Sequence, residues 1–255
     1  MGAALPWATP PIAILSALPQ EQRGLLEQLQ NPVRHRHAGR DFWQGDLYGR
    51  PVVLALSGIG KVAAAITAAV LIERMRADRI VFTGVAGGLG NSVQVGDVVV
   101  ATGFVQHDMD ASPLFPRYEV PLTGRSQFPC DAGLTALLFE AARSALEGES
   151  QQLRPGLPAR AHLGLVASGD QFVCGAGRAH VLQGELHADG HAALAVEMEG
   201  AALAQVCCDY QVALAVVRTI SDRADGTAHV DFAQFVESTA SRYAQAIIQR
   251  LFQLL

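Results

Sequence analysis

Residues 195–206 read A-V-E-M-E-G-A-A-L-A-Q-V. The pattern changes in the middle of this stretch. Ala193 to Glu197 is a short apolar run of the kind that forms a buried strand, and Gly200 to Tyr210 reads as a helix. Glu197 and Glu199 stand at the joint. A buried ionised carboxylate without a partner is costly. Acids set in so much apolar sequence therefore belong either in a solvated loop or at the mouth of a cleft, where a strand stops and a helix starts.

The same alternation extends in both directions. Strands are predicted at Ile12–Ala17, Ile80–Thr83, Gly96–Val105, His162–Ser168 and Ala213–Ile220. Phe42–Leu56 reads as a hairpin with Tyr48-Gly49-Arg50-Pro51 in its turn. Helices are predicted at Glu21–Gln30, Lys61–Met75, Leu134–Leu146 and Arg178–Leu186. A last helix starts near Asp231, a plausible N-cap, and runs to about Leu251. GVAGGLG after Thr83 reads as a loop, Gly148-Glu149-Ser150 as a helix break, and 149–160 as a polar connector. The proline-rich segment 106–131 is a long loop, of the kind that often carries function. Several strands are apolar on both faces, which predicts an α/β fold: one domain over 12–255, preceded by a tail at 1–11, with a central, mostly parallel sheet flanked by helices.

Composition narrows the function. The chain has 255 residues, half of them apolar and 17% charged, with a net charge of −5. It can build a sizeable core. It has one lysine, Lys61, and its arginines are scattered, so the basic stripe of a nucleic-acid binder is missing. No apolar run reaches membrane-spanning length, and the N-terminus has no basic region to make it a signal peptide. The four cysteines form no CxxC pair and read as reduced, packed thiols. A cytoplasmic protein is the expectation.

In open α/β sheets, ligands gather beyond the carboxyl ends of the strands. Acids fall there repeatedly: Glu21 after the first strand, Asp170 after GLVAS, Glu197 and Glu199 after LAV, and Asp222 after VRTIS. Crowding and burial raise carboxylate pKa values, so one such acid can stay protonated near neutral pH. Taken singly, each has a plainer role, Glu21 in a first helical turn and Asp222 in an Asx-turn. Their joint placement suggests a site for proton transfer.

SGIGKVAAA (57–65), TGVAGGL (83–89), VGDVVVA (95–101), SGDQF (168–172), VEMEGAALAQVC (196–207) and VRTISDRAD (217–225), in that order, resemble the nucleoside phosphorylase/nucleosidase superfamily. Within it they are most similar to the 5′-methylthioadenosine/S-adenosylhomocysteine nucleosidases. The resemblance implies a single α/β domain around a twisted mixed sheet, used as a homodimer without cofactor or metal, that hydrolyses the bond between adenine N9 and ribose. It further implies Asp222 as general acid at adenine N7, Glu21 as the base activating water, and Glu199 as holder of the ribose hydroxyls. Met198 would pack under the ribose, Phe172 would stack on adenine, and the Val173 backbone would meet the base edge. Ile59 would line the sugar end, Arg218 would orient the acids, and Ser221 would support Asp222. Glu197 is expected to pair with Arg218 or a backbone donor. In the family, the 106–131 region of one subunit caps the 5′ pocket of its neighbour, which points here to Phe115 and Pro121.

Other motifs carry less. Gly58-Ile59-Gly60-Lys61-Val62-Ala63 fits a dinucleotide fingerprint, but the next strand lacks the acid that would hold a ribose. A tight strand-to-helix turn explains it better. His107-Asp108-Met109-Asp110 lacks further ligands at metal-binding spacing, and Cys174 lacks a histidine partner, so packing is its expected role. Neither glycine-rich segment carries an arginine for phosphate, which favours hydrolysis over phosphorolysis. A purine nucleoside phosphorylase, a hydrolase of futalosine-like nucleosides and a non-catalytic nucleoside-binding protein remain the alternatives.

Overall fold

The computed structural model describes residues 9–153, 159–222 and 240–255. The predicted N-cap at Asp231 and the start of the last helix lie outside these residues. In chain order the elements are β1 (Ile12–Ser16), α1 (Pro19–Glu27), β2 (Gln30–His37), β3 (Arg40–Leu47), β4 (Arg50–Leu56), α2 (Lys61–Glu73), β5 (Arg79–Gly88) and β6 (Val98–Gln106). They continue with β7 (Gln127–Pro129), α3 (Ala132–Leu153), β8 (Ala161–Ser168), α4 (Ala176–Ala188), β9 (Ala193–Glu197), α5 (Gly200–Tyr210), β10 (Ala213–Asp222) and α6 (Ser241–Leu254).

The strands form one mixed sheet in the order β10-β6-β8-β9-β5-β1-β4-β3-β2, with β7 on β6 and a further pairing of β10 with β5. That last pairing closes β5, β10, β6, β8 and β9 into a ring, from which β1, β4, β3 and β2 extend. The parallel pairs are β1–β4, β1–β5, β10–β5, β6–β8 and β8–β9. The sheet is mixed, as expected: the β2–β3–β4 hairpins and the contacts of β10 with β6, β6 with β7, and β5 with β9 are antiparallel.

Period-two alternation explains why the inner strands read as continuous apolar runs. Ala13, Leu15, Ile80, Phe82, Leu214 and Val216 face one core, shared with Leu71 of α2 and Leu203 of α5. Ile12, Ile14, Val81, Ala215 and Val217 face another, shared with Leu25 of α1, Leu138 of α3 and Ile247 of α6. In α6 the buried residues Tyr243, Ala244, Ile247, Ile248, Leu251 and Phe252 make a single helical stripe. No helix among the described residues is long and apolar enough to cross a membrane.

Four local expectations need correction. GVAGGLG is not a loop throughout, since β5 runs on to Gly88. The 148–150 break is absent, because α3 continues to Leu153. The hairpin turn is only Tyr48-Gly49, both with positive φ (49° and 79°), as a two-residue type I′ turn requires. Cys174 is exposed rather than packed. The 106–131 segment is largely irregular but anchored: Tyr118 is fully buried and meets the edge of His191 at 5.4 Å.

The start of α5 has no room to spare. A Cβ on Gly200 would run into the ring of Phe104 on β6, which is itself fully buried. Overpacking of this kind costs about 1–3 kcal/mol. Gly200→Ala should therefore lower the unfolding free energy by that amount, read as a lower denaturation midpoint at unchanged slope; an unchanged midpoint would show that the helix start can shift freely.

Candidate active site

β5 changes partner partway along its length. Arg79–Phe82 pairs with β1, and Gly87–Gly88 pairs with β9. Between these contacts that side of β5 has no strand beside it among the described residues. β9 runs opposite to β5, but the two meet only through their last residues, Gly87 with Val196 and Gly88 with Ala195. The carboxyl ends of β1, β5, β9 and β10 therefore converge around the gap, although the strands do not all run the same way.

Glu21 enters the gap from the first turn of α1. It is 2% exposed. Its Oε2 accepts the Ala17 and Leu18 N–H groups at 2.9 and 2.8 Å. Its Oε1 accepts the Val85 N–H at 3.1 Å, on the unpaired edge of β5. The ordinary role of an acid near a helix start and the functional role thus belong to the same carboxylate. Burial pushes its pKa above the usual glutamate value, against the pull of Arg218 and the three backbone donors.

Arg218 of β10 lies beneath the acids. Its side chain is 1% exposed, and the guanidinium sits 3.8 Å from the centre of the Phe82 ring. Nη2 donates to Glu197 Oε2 and is 3.9 Å from Glu199 Oε2. Glycine is needed at position 84 because an added Cβ would collide with Arg218 and reach 3.0 Å from Glu21 Oε1. Glu197 also accepts from the Ser168 hydroxyl and from the N–H groups of Glu199 and Gly200. It is a fully engaged structural anion.

Glu199, two residues on, accepts the Gly60 N–H through Oε1 at 2.9 Å. Burial first, and then the neighbouring Glu197 charge, push its pKa up to about 8, with Arg218 and the Gly60 N–H opposing. Ser221 donates to Asp222 Oδ2 at 2.8 Å; both residues are buried.

These groups line one cavity. Glu21, Glu197, Glu199, Ser221 and Asp222 supply its polar side, and Ile59, Phe172, Val173 and Met198 are on its apolar walls. Arg218 supports the cavity from below. Phe115 and Pro121 are not among its lining residues. Asp170, the remaining strand-end acid, does not line it either; its Oδ1 accepts the Lys61 N–H at the start of α2. Val85, Ala86, Gly87 and Gln171 line the cavity but were not singled out from the sequence, the first three because their glycine-rich segment reads as a loop. Among the described residues no group of three or more His, Cys, Asp or Glu side chains is gathered to hold a metal ion.

The arrangement can enclose a partly apolar ligand in a cavity lined by Phe172 and Met198, present it with buried carboxyl groups, and keep a buried cation beneath them to limit repulsion between the acids. The phosphorylase superfamily profile matches residues 11–253. The 5′-methylthioadenosine/S-adenosylhomocysteine nucleosidase of Aeromonas salmonicida is 35% identical over 245 residues, covering 95% of this chain and 99% of the relative. The crystal structure of the Neisseria meningitidis nucleosidase of that name, in complex with methylthio-immucillin-A, superposes with a TM-score of 0.85 at 32% identity, covering 97% of this chain and all of that one. A futalosine hydrolase mutant of Helicobacter pylori gives 0.84 at 31% identity, again with 97% of this chain and all of that one.

The raised Glu199 pKa has a stability consequence. A group whose folded pKa lies above its unfolded one adds stability below the unfolded value, here 4.5, and loses it as pH rises through about 8. The melting temperature of the ligand-free protein should therefore fall between pH 5 and pH 8, and Glu199→Gln should flatten the slope. An equal slope in the variant would place the proton uptake elsewhere.

Proposed function

The chain belongs to the phosphorylase superfamily, and within it we propose that it hydrolyses the N-glycosidic bond of 5′-substituted adenosines, methylthioadenosine and S-adenosylhomocysteine, to release adenine. The observation that carries this reading is the convergence of Glu21, Glu199 and Asp222 on one apolar-walled cavity.

Adenine leaves poorly as an anion. Asp222, held by Ser221, donates its proton to N7, so that cleavage of the C1′–N9 bond releases neutral base. The sugar gains positive charge as that bond breaks, and the carboxylates around it stabilise the charge. A water oxygen attacks C1′ and gives its proton to Glu21, whose burial raises its pKa and so its basicity. Glu199 holds the ribose diol. Phe172 stacks on the purine, the Val173 backbone meets the base edge, Met198 lies under the sugar, and Ile59 borders its 5′ end.

Electrostatics favour water over phosphate as the nucleophile. The start of α2 is the kind of helix end that binds anions, but its Gly60 and Lys61 N–H groups already serve Glu199 and Asp170. The Lys61 ammonium serves Asp108 and Gln106, and Arg218 serves Glu197. Each of these donors is engaged, and no Lys, Arg or His is among the described residues that line the cavity to receive a phosphate dianion.

The futalosine hydrolase likeness, equal in quality to the nucleosidase one, supports a second reading in which only the 5′ group differs. We further propose a homodimer in which segment 106–131 of each subunit, with Phe115 and Pro121, caps the 5′ side of its partner's cavity. Apolar residues that a partner would cover support this: Ile59 and Val62 beside the cavity are 58% and 69% exposed, and Leu114 and Leu122 in the segment are 84% and 91% exposed.

Incubation with methylthioadenosine should release free adenine at the same rate with and without phosphate; strict phosphate dependence would make the protein a phosphorylase. A panel including S-adenosylhomocysteine and futalosine ranks the 5′ groups. Asp222→Asn should lower kcat by about 10²–10⁴-fold, the usual contribution of a positioned acid, while retaining nucleoside binding; undiminished turnover removes Asp222 from the mechanism. Val62→Glu should shift the protein from dimer to monomer by light scattering after size exclusion, and an unaltered mass would exclude this face from the interface.

A further inference from the structure

Lys61 is the only lysine in the chain, and the cavity does not use it. Its side chain is only 16% exposed. Nζ donates to Asp108 Oδ1 at 2.6 Å and to Gln106 Oε1 at 3.0 Å. Its backbone N–H donates to Asp170 Oδ1 at 2.7 Å. Asp108 Oδ2 in turn accepts the Asp170 N–H at 2.9 Å. Three residues from three separate segments, following β4, β6 and β8, thus close a ring of hydrogen bonds. Gln106 extends it to α5 through Gln205 at 2.9 Å.

The ring is joined through the chain to both apolar walls. Ile59 and Gly60 immediately precede Lys61; Gln171, Phe172 and Val173 immediately follow Asp170. Ile59 and Phe172 are 58% and 51% exposed, so the ring places polar anchorage beside two walls that are half open to solvent. Gly60 has a positive φ of 98°, and its N–H is the one held by Glu199. Partly buried charged pairs with good geometry hold more firmly than exposed ones. Burial opposes ionisation of Asp108, yet the Lys61 hydrogen bond and the Asp170 N–H keep its pKa below the usual aspartate value.

We propose that Lys61 and Asp108 are positioning residues for substrate affinity: their ion pair, closed through Asp170, sets the gap between the Ile59 wall and the Phe172 wall and so preorganises the nucleoside cavity. This rests on the nucleosidase reading. It adds residues that touch neither the substrate nor the reacting atoms, and whose effect is on binding. Without the ring, the two loops would have to be ordered by the ligand at the expense of binding energy.

The test compares wild type with Lys61→Met, Asp108→Asn, the double variant and Lys61→Arg. Each single variant should raise KM for methylthioadenosine about tenfold or more while kcat changes less than threefold. The double variant should be no worse than either single one, because both remove the same interaction, and Lys61→Arg should recover most of the affinity. Independent, multiplying effects in the double variant, or a loss confined to kcat, would overturn the proposal. Hydrogen exchange at the amides of Lys61 and Asp170, followed without substrate, tests the ring itself. Faster exchange in Lys61→Met supports it, and unchanged exchange overturns it. Wild type that releases no adenine would defeat the nucleosidase reading, and the exchange measurement would still decide on the ring. If Lys61→Met does not fold, Asp108→Asn and Lys61→Arg carry the same comparison.

Discussion

The site depends on one buried cation. Arg218 is almost completely excluded from solvent, and Glu197 and Glu199 lie within ion-pair range of it. Its charge also opposes the rise in the Glu21 pKa. Removing such a partner would leave uncompensated buried charge, worth about 3–5 kcal/mol. The surroundings make this arrangement possible. Phe82 offers its ring face to the guanidinium, and Gly84 withholds a side chain where Arg218 and Glu21 come together. Glu197 turns the cation towards the cavity, and the ordinary backbone donors at the start of α5 complete its shell. The Glu-Met-Glu spacing then has a physical account. The first acid satisfies the arginine and the helix start, and the second, past the turn, lines the cavity and accepts the Gly60 N–H.

Much of this was legible in the residues. β9 and α5 lie where the change of period puts them, and the acids at positions 21, 197, 199 and 222 line one cavity. What was hidden has specific causes. β2 (QNPVRHRH) is an edge strand with most of its residues exposed, so it lacks the apolar alternation that marks a half-buried strand. The end of β5 was taken for a loop because glycine signals both turns and close backbone approach; here Gly88 packs against Val93 and Ile220. The closure of five strands into a ring depends on β10 pairing with both β5 and β6, a long-range choice that no local pattern records. The Lys61–Asp108 pair joins residues 47 positions apart, and the one available hint was that the chain keeps a single lysine.

Roles and geometry agree most closely where the sequence allowed two explanations. Glu21 is at once a helix-start acid and a cavity carboxylate. SGIGK is a strand-to-helix turn, and its free amides still act as anion receptors, but for the protein's own carboxylates. Asp170 at the end of β8 serves the scaffold, as Glu197 at the end of β9 does. Position at a strand end therefore selects candidates, while the hydrogen-bond partners sort those that hold the structure from those left available for chemistry.

The fork in β5 divides mechanical labour. The inner floor of the cavity is set by β5 and β10, which pair with each other from Arg79 to Gly87, so widening it there would mean shearing that ladder. The outer rim is made of loop ends carrying Ile59 and Phe172, which a few polar contacts tether. A scaffold built this way reads one part of its ligand rigidly and the rest permissively. A ligand lying across both meets the ladder on its inner side and the tethered loop ends on its outer side, so a change at the rim can alter what fits there without disturbing the floor.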